Sequence, residues 1–226
     1  LKPQAIGIIL IALLAAGLGI FLGMQFSKGR SLDIEQLSLL NAVMMPEPRV
    51  IEAQPLEATT GKTIDLTKDF EGQWVLVNFG YMSCPDICPI NLVELAKVQA
   101  EWDKTQPYYP LQVVYLTMDP ARDDLDTMRT YLGHFNEDFI GARAEFKETQ
   151  KLALQLNTVF EAEAKDDDGN YIVSHSDSLA LINPDGDLEA VLRGPQNSKR
   201  ILEALNQIIP TQTSLYHLSA ALLPCH

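Results

Sequence analysis

The pattern of apolar and polar positions divides the chain near its start. From Ala5 to Met24, twenty consecutive residues carry no charge and no strongly polar side chain. At 1.5 Å per residue, such a helix spans roughly 30 Å, the thickness of a bilayer's hydrocarbon core. A cleavable secretory signal has a shorter apolar stretch of about 7–15 residues, ending at small residues. Here apolar residues continue past every small pair, so the pattern predicts an uncleaved transmembrane anchor over residues 1–26. Ala15, Gly19 and Gly23 form a small-xxx-small stripe, which can pack membrane helices together but also matches their ordinary composition.

Beyond the anchor, the pattern changes to short apolar runs alternating with amphipathic stretches. Residues 27–55 read as a linker holding a short helix, Asp33 to Met45, stopped by Pro46 and Pro48. Met44 and Met45 are soft thioethers that also serve as ordinary apolar contacts. Leu56 to Phe70 predicts a hairpin around Thr60-Gly61-Lys62. Trp74 to Phe79 is a continuous apolar run between Gly72 and Gly80, the mark of a buried strand. Helical spacing follows from Asn91 to Trp102, then a second buried strand from Leu111 to Met118. Helical patterns return over Asp123–Phe135 and Glu148–Phe160. Leu179–Asn183 and Leu188–Leu192 read as a β-hairpin about Pro184-Asp185-Gly186, followed by a helix over Ser198–Ile209. Strand, helix, strand, helix, hairpin, helix is the order of an α/β thioredoxin-like fold, with a central sheet flanked by helices. It is predicted for residues 56–209, leaving 210–226 as a C-terminal tail.

Composition and charge narrow the function. The chain has 226 residues and a formal net charge of −13. No basic stripe is present to displace counterions, so nucleic-acid binding is excluded. The acidity suits a basic protein partner or cation delivery, and equally suits plain solubility. Three cysteines are too few for a disulfide framework. Two of them, Cys84 and Cys88, stand close together, which points to metal or redox chemistry.

Those two fall in Gly80-Tyr-Met-Ser-Cys84-Pro-Asp-Ile-Cys88-Pro89, at the C-terminal end of the first buried strand, where ligands sit in α/β folds. A helix N-terminus there favours the thiolate, the form that is both nucleophile and metal ligand. Pro89 suits the first helical position. Residues four apart on a helical turn share a face, with Cβ atoms roughly 5–6 Å apart. Two sulfurs can then converge on one metal ion. They can also close a disulfide, which needs Cα atoms within about 7 Å. The spacing leaves metal site and redox switch both open.

The stretch resembles the Sco/SenC family, whose members carry CPDxCP after an apolar strand ending in FG. Further matches are Tyr115-Leu-Thr-Met-Asp-Pro-Ala-Arg-Asp123, the Tyr131-to-Gly141 segment, and Tyr171-Ile-Val-Ser-His175-Ser with Leu-Ala-Leu-Ile-Asn-Pro-Asp-Gly186 after it. The resemblance covers about residues 56–209. It implies a thioredoxin-like fold with copper held by Cys84, Cys88 and His175, and a role in maturing the binuclear copper centre of cytochrome c oxidase. Its implied partners are the copper-centre subunit of that oxidase and a second copper chaperone or a thioredoxin-like reductant. The chemistry agrees: thiolates select Cu(I), and imidazole also tolerates Cu(II). Structural zinc normally takes four protein ligands, and no fourth stands at a suitable spacing. Of the four histidines (134, 175, 217 and 226), only His175 lies immediately before a buried strand facing the cysteine edge. Where the family often has Asp-His, this chain has Ser174-His175. An aspartate there would orient the imidazole or the local backbone, so the change predicts an altered Cu(II) affinity.

Asp86 and Asp119 are candidate outer-shell residues. Asp86 is also a natural turn former, and Asp119 with Arg122 also reads as a strand-end ion pair. The acidic run Asp166 to Asn170 lacks a calcium loop's glycine position and its downstream glutamate. Cys225-His226 ends an extended tail better suited to docking than to ligation.

Three rival functions share the cysteine pair. A thiol–disulfide oxidoreductase of the thioredoxin type uses C-x-x-C and a proline facing it. Here the spacing is one residue longer, and His175-Ser-Asp-Ser178 occupies the place of that proline. Thiol reduction of oxidase cysteines by Cys84 and Cys88 nevertheless stays open as an alternative or second role. A peroxiredoxin would need Pro and Thr or Ser where Val77 and Tyr81 stand, so that class is discounted. A copper or redox sensor is the third. Delivery to an oxidase copper domain outside the membrane requires the soluble domain there too. The expectation is therefore a single-pass protein of the cytoplasmic (inner) membrane, N-terminus inside and domain on the periplasmic or extracytoplasmic side. Lys2 before the anchor, with Lys28 and Arg30 after it, weakly argues the other way.

Overall fold

A computed structural model of the chain describes residues 32–166 and 171–209, together with Gly17. Its contacts divide the chain into two units, Ile34–Ile209 and Leu1–Asp33 with Pro210–His226. The fold below is that of the first unit. The predicted anchor Ala5–Met24 apart from Gly17, the tail with Cys225 and His226, and the acidic run after Asp166 lie outside the described residues. No helix among the described residues is long and apolar enough to cross a membrane.

The elements in chain order are α1 (Ile34–Leu39), β1 (Ala42–Arg49), β2 (Leu56–Ala58), β3 (Thr63–Ile64), β4 (Trp74–Gly80), α2 (Ile87–Thr105), β5 (Leu111–Thr117), α3 (Leu125–Gly133), β6 (Ile140–Arg143), α4 (Phe146–Gln155), β7 (Phe160–Ala162), β8 (Val173–His175), β9 (Ser178–Ile182), β10 (Leu188–Arg193) and a helix over 198–209, α5. Eight strands form one mixed sheet in the order β1-β10-β9-β4-β5-β6-β2-β3, while β7 and β8 make a separate two-stranded ribbon.

β4 lies mid-sheet and every one of its residues is buried, as an unbroken Trp-Val-Leu-Val run requires. It runs parallel to β5, from Trp74 opposite Leu111 to Gly80 opposite Thr117, and antiparallel to β9 on its other side. A parallel pair needs a crossover, and α2 supplies it, packing against β5. Leu92, Leu95, Val98 and Trp102 recur at helical spacing on its buried stripe, which also takes in Cys88 and Asn91. Gly80 closes β4 where no side chain fits: a Cβ there would stand 2.7 Å from the Tyr115 ring.

Several boundaries differ from the sequence expectation. The helix expected over Asp33–Met45 stops at Leu39, and Asn41 takes a left-handed φ of 58°. The chain then forms β1, an edge strand on β10 that contains Pro46 and Pro48. Proline is tolerated at an edge, where a missing N–H breaks no inner ladder, and the register shifts between Met44 and Arg49. Part of the stretch read as linker is thus built into the sheet. The helix expected to reach Phe160 ends at Gln155, with Asn157 at φ 60°, a usual way for a helix to stop. Phe160 opens β7 instead. The hairpin about Gly61, the strands at 74, 111, 179 and 188, and the final helix stand where the pattern puts them.

Candidate metal centre

The loop Tyr81–Asp86 leaves the C-terminal end of β4 and enters α2, carrying Cys84 half-buried and Cys88 buried in the helix's first turn. α2 begins at Ile87, so Pro89 is its third residue rather than its first. The position still costs no hydrogen bond, because the first four N–H groups of a helix lack intrahelical partners. Two bonds shape the loop: Cys84 N–H donates to Tyr81 O at 3.1 Å, and Met82 N–H donates to Asp123 Oδ2 at 3.0 Å.

His175 arrives from the two-stranded ribbon as the last residue of β8. Its Nε2 lies 3.7 Å from Cys88 Sγ, and one ligand atom each from Cys84, Cys88 and His175 all fall within 4.8 Å of one another. His175 Nδ1 stands 3.1 Å from the carbonyl of Ser176. A carbonyl only accepts, so this bond puts a proton on Nδ1 and leaves Nε2, the nitrogen that faces Cys88, as the one able to offer a lone pair to a metal. That tautomer is the one a metal-ligating imidazole needs. Among the described residues no fourth histidine, cysteine or acidic side chain joins the group.

The electrostatics correct one expectation. Cys88 stands in the first turn of a helix, yet its thiol is pushed far above the ordinary range, first by burial and then by its hydrogen bond with Cys84. Desolvation of a thiolate outweighs the helix terminus here. Cys88 is a protonated thiol in the free protein, and a metal must displace its proton.

The proposed outer-shell residues separate. Asp86 is exposed at the N-cap of α2, where its side chain makes no capping bond. Asp119 is buried and pairs with Arg122 through Nε, while the Tyr171 hydroxyl donates to its Oδ1 at 2.7 Å. Ser174 points away from the cysteines: it is exposed and its hydroxyl donates to Glu163. Alternation along β8 puts positions 174 and 175 on opposite faces.

Three neighbours were not singled out from sequence. Tyr81, buried beside the cluster, meets the His175 ring edge-on at 6.4 Å and receives a backbone hydrogen bond at Val173. Asp123, under the loop, accepts from Met82 N–H and from the Thr117 hydroxyl at 2.5 Å, and burial raises its carboxyl above the usual range. Tyr171 is stacked on Arg122, whose guanidinium carbon is 3.7 Å from the ring centroid. The motif holding Asp123 was visible, but nothing in the sequence said which group its carboxylate would meet. An open cleft of about 580 Å³ lies beside the loop, lined by Tyr81, Ser83, Pro85, Arg122 and Tyr171 among others.

A thioredoxin-like sheet with two cysteines and a histidine gathered at the end of its parallel strands defines a thiol-based metal or redox protein. The chain belongs to the SCO1/SenC family, whose model matches residues 46–210. A protein of Stutzerimonas stutzeri named for copper binding is 32% identical over 185 residues, 80% of this chain and 89% of that one. The human mitochondrial SCO2 homologue is 39% identical over 118 residues, which span 52% of this chain and only 44% of that protein. Among solved structures, copper-bound yeast Sco1 superposes with a TM-score of 0.65 at 25% identity, over 72% of this chain and 90% of that one. The Cys–Cys–His group of this chain is a set that can hold copper.

Proposed function

We propose that this chain is a membrane-anchored copper carrier, a metallochaperone rather than an enzyme. It takes one copper ion between Cys84, Cys88 and His175 and passes it to the copper-centre subunit of cytochrome c oxidase. The observation that carries the reading is the convergence of three donor atoms within 4.8 Å, with no fourth joining them among the described residues. Two thiolates favour Cu(I), and the imidazole extends the site to Cu(II). A three-ligand set leaves a position through which a recipient's ligand can enter, whereas a structural zinc site is closed by four. Cys84, the more exposed sulfur, is the natural point of entry.

Titration of the reduced chain with Cu(I) against a competing chelator tests this. One tightly held copper per chain, weakened by both His175→Ala and Cys84→Ser, is the expected result. Failure to compete for copper, with a Cys84–Cys88 disulfide that cycles readily, would move the function to thiol–disulfide exchange on oxidase cysteines. The closeness of the two sulfurs, within 4.8 Å, keeps that second reading in view.

A further inference from the structure

His175 does not belong to the sheet that carries the cysteines. Cys84 and Cys88 ride on β4 and α2, while His175 ends the separate ribbon of β7 and β8. His175 itself is in no ladder of the main sheet, which the chain enters only at Ser178. Side chains on either flank of His175 make up for that. Four residues before it, the Tyr171 hydroxyl donates to Asp119 Oδ1 at 2.7 Å. Asp119 itself is fixed just past β5 by its N–H bond to the Thr117 hydroxyl at 3.0 Å and by Arg122, which also stacks on the Tyr171 ring. Two residues after His175, Asp177 Oδ1 accepts from Asn91 Nδ2 at 3.0 Å. Asn91 is buried on α2, three residues beyond Cys88.

The geometry points to a two-sided clamp: Tyr171 with Asp119, and Asp177 with Asn91, are positioning residues that hold the histidine-bearing ribbon against the cysteine-bearing elements. The inference rests on the copper reading above and adds a consequence for oxidation state. The two thiolates carry most of the binding of a soft Cu(I) ion, with the imidazole a weaker third donor, whereas Cu(II) depends on the imidazole. Loosening the clamp therefore weakens Cu(II) binding selectively. Outer-shell contacts of this kind commonly change affinity by about 10–100-fold.

The test uses the full chain in mild detergent, with Tyr171→Phe, which removes only the hydroxyl, and Asn91→Leu, which keeps the branched outline and removes the donor. Copper alone is the probe, in both oxidation states. Amide hydrogen exchange is followed in the metal-free protein. Each variant is expected to lose about tenfold or more in Cu(II) affinity while Cu(I) affinity stays within about threefold of the parent. Exchange at 173–176 should speed up with β4 unchanged. Unaltered exchange at 173–176 with parental Cu(II) affinity would overturn the clamp and leave the copper reading standing. Equal losses for both oxidation states, with β4 also exchanging faster, would mean general destabilisation and overturn it as well. If the parent chain itself binds no copper, the proposed function fails, and the metal-free exchange alone then decides whether the clamp exists.

Discussion

Cys88 stands in the first turn of a helix, a place that favours a thiolate, yet burial keeps its proton on. The two cysteines are therefore unequal in the metal-free protein, and alkylation should show it. At pH 7.5, mass spectrometry of iodoacetamide-treated protein should find Cys84 modified at least about tenfold faster than Cys88, because reactivity follows thiolate fraction and access. Equal rates would remove the asymmetry. A second residue-scale expectation concerns Ser174. Its side chain faces Glu163 and not the imidazole. Ser174→Asp should therefore leave Cu(II) affinity within about threefold, although the sequence alone predicted that this position matters to the metal. A change of tenfold or more would show that the residue acts on His175 through the backbone. The three candidate donors, which the fold brings together, were legible because they sit in short motifs tied to strand ends. Their supports were not. Met82 with Asp123, Tyr171 with Asp119, and Asn91 with Asp177 are separated by 41, 52 and 86 residues. Hydropathy and spacing carry no information about partners that only the folded chain brings together.

At the scale of elements, the long periodic segments were readable, while among the short strands only the β2–β3 hairpin was. β4, β5 and α2 are defined by apolar runs or stripes long enough to have a period. β6, β7 and β8 have only three or four residues each, and their pairing comes from neighbours in space. β1 was misread because its two prolines look like helix breakers, while the edge of a sheet admits them. One contact between elements has a measurable pH signature. Glu94, on α2, accepts the Ser198 N–H at the start of α5 at 2.7 Å and pairs with Lys97. These contacts, the Lys97 hydrogen bond first, lower its carboxyl from 4.5 to about 2. A depressed folded-state value means that the stability it adds is fully present above pH 4.5 and is lost as pH falls toward 2. Glu94→Gln, which keeps an acceptor oxygen for the Ser198 N–H but removes the charge that pairs with Lys97, should cost about 1 kcal/mol at pH 7, the usual margin of a charge-assisted hydrogen bond over a neutral one. The gap between parent and variant in denaturant midpoint should then narrow as pH falls from 4.5 toward 2. A gap that does not change with pH would assign the effect to packing instead.

For the whole molecule, the proposed membrane anchoring raises the question of the side on which the copper domain would work. The charges beside the predicted anchor, Lys2 before it against Lys28 and Arg30 after it, give a bias of one residue toward a cytoplasmic domain. Such counts govern short loops, and large domains cross with little regard to charge. The domain's chemistry argues more strongly. A pair of free cysteines whose sulfurs lie within 4.8 Å of one another gains a redox cycle where disulfides persist. An oxidase copper domain outside the membrane is also reachable only from that side. The full chain, with Cys225→Ser so that only the site thiols remain, should therefore react with a membrane-impermeant maleimide in intact bacterial cells, through the half-buried Cys84. The extent of labelling should match that reached after the cells are lysed. Labelling that appears only after lysis would place the domain in the cytoplasm. The chain would then serve a cytoplasmic copper or thiol client, and the charge count would have been the better guide.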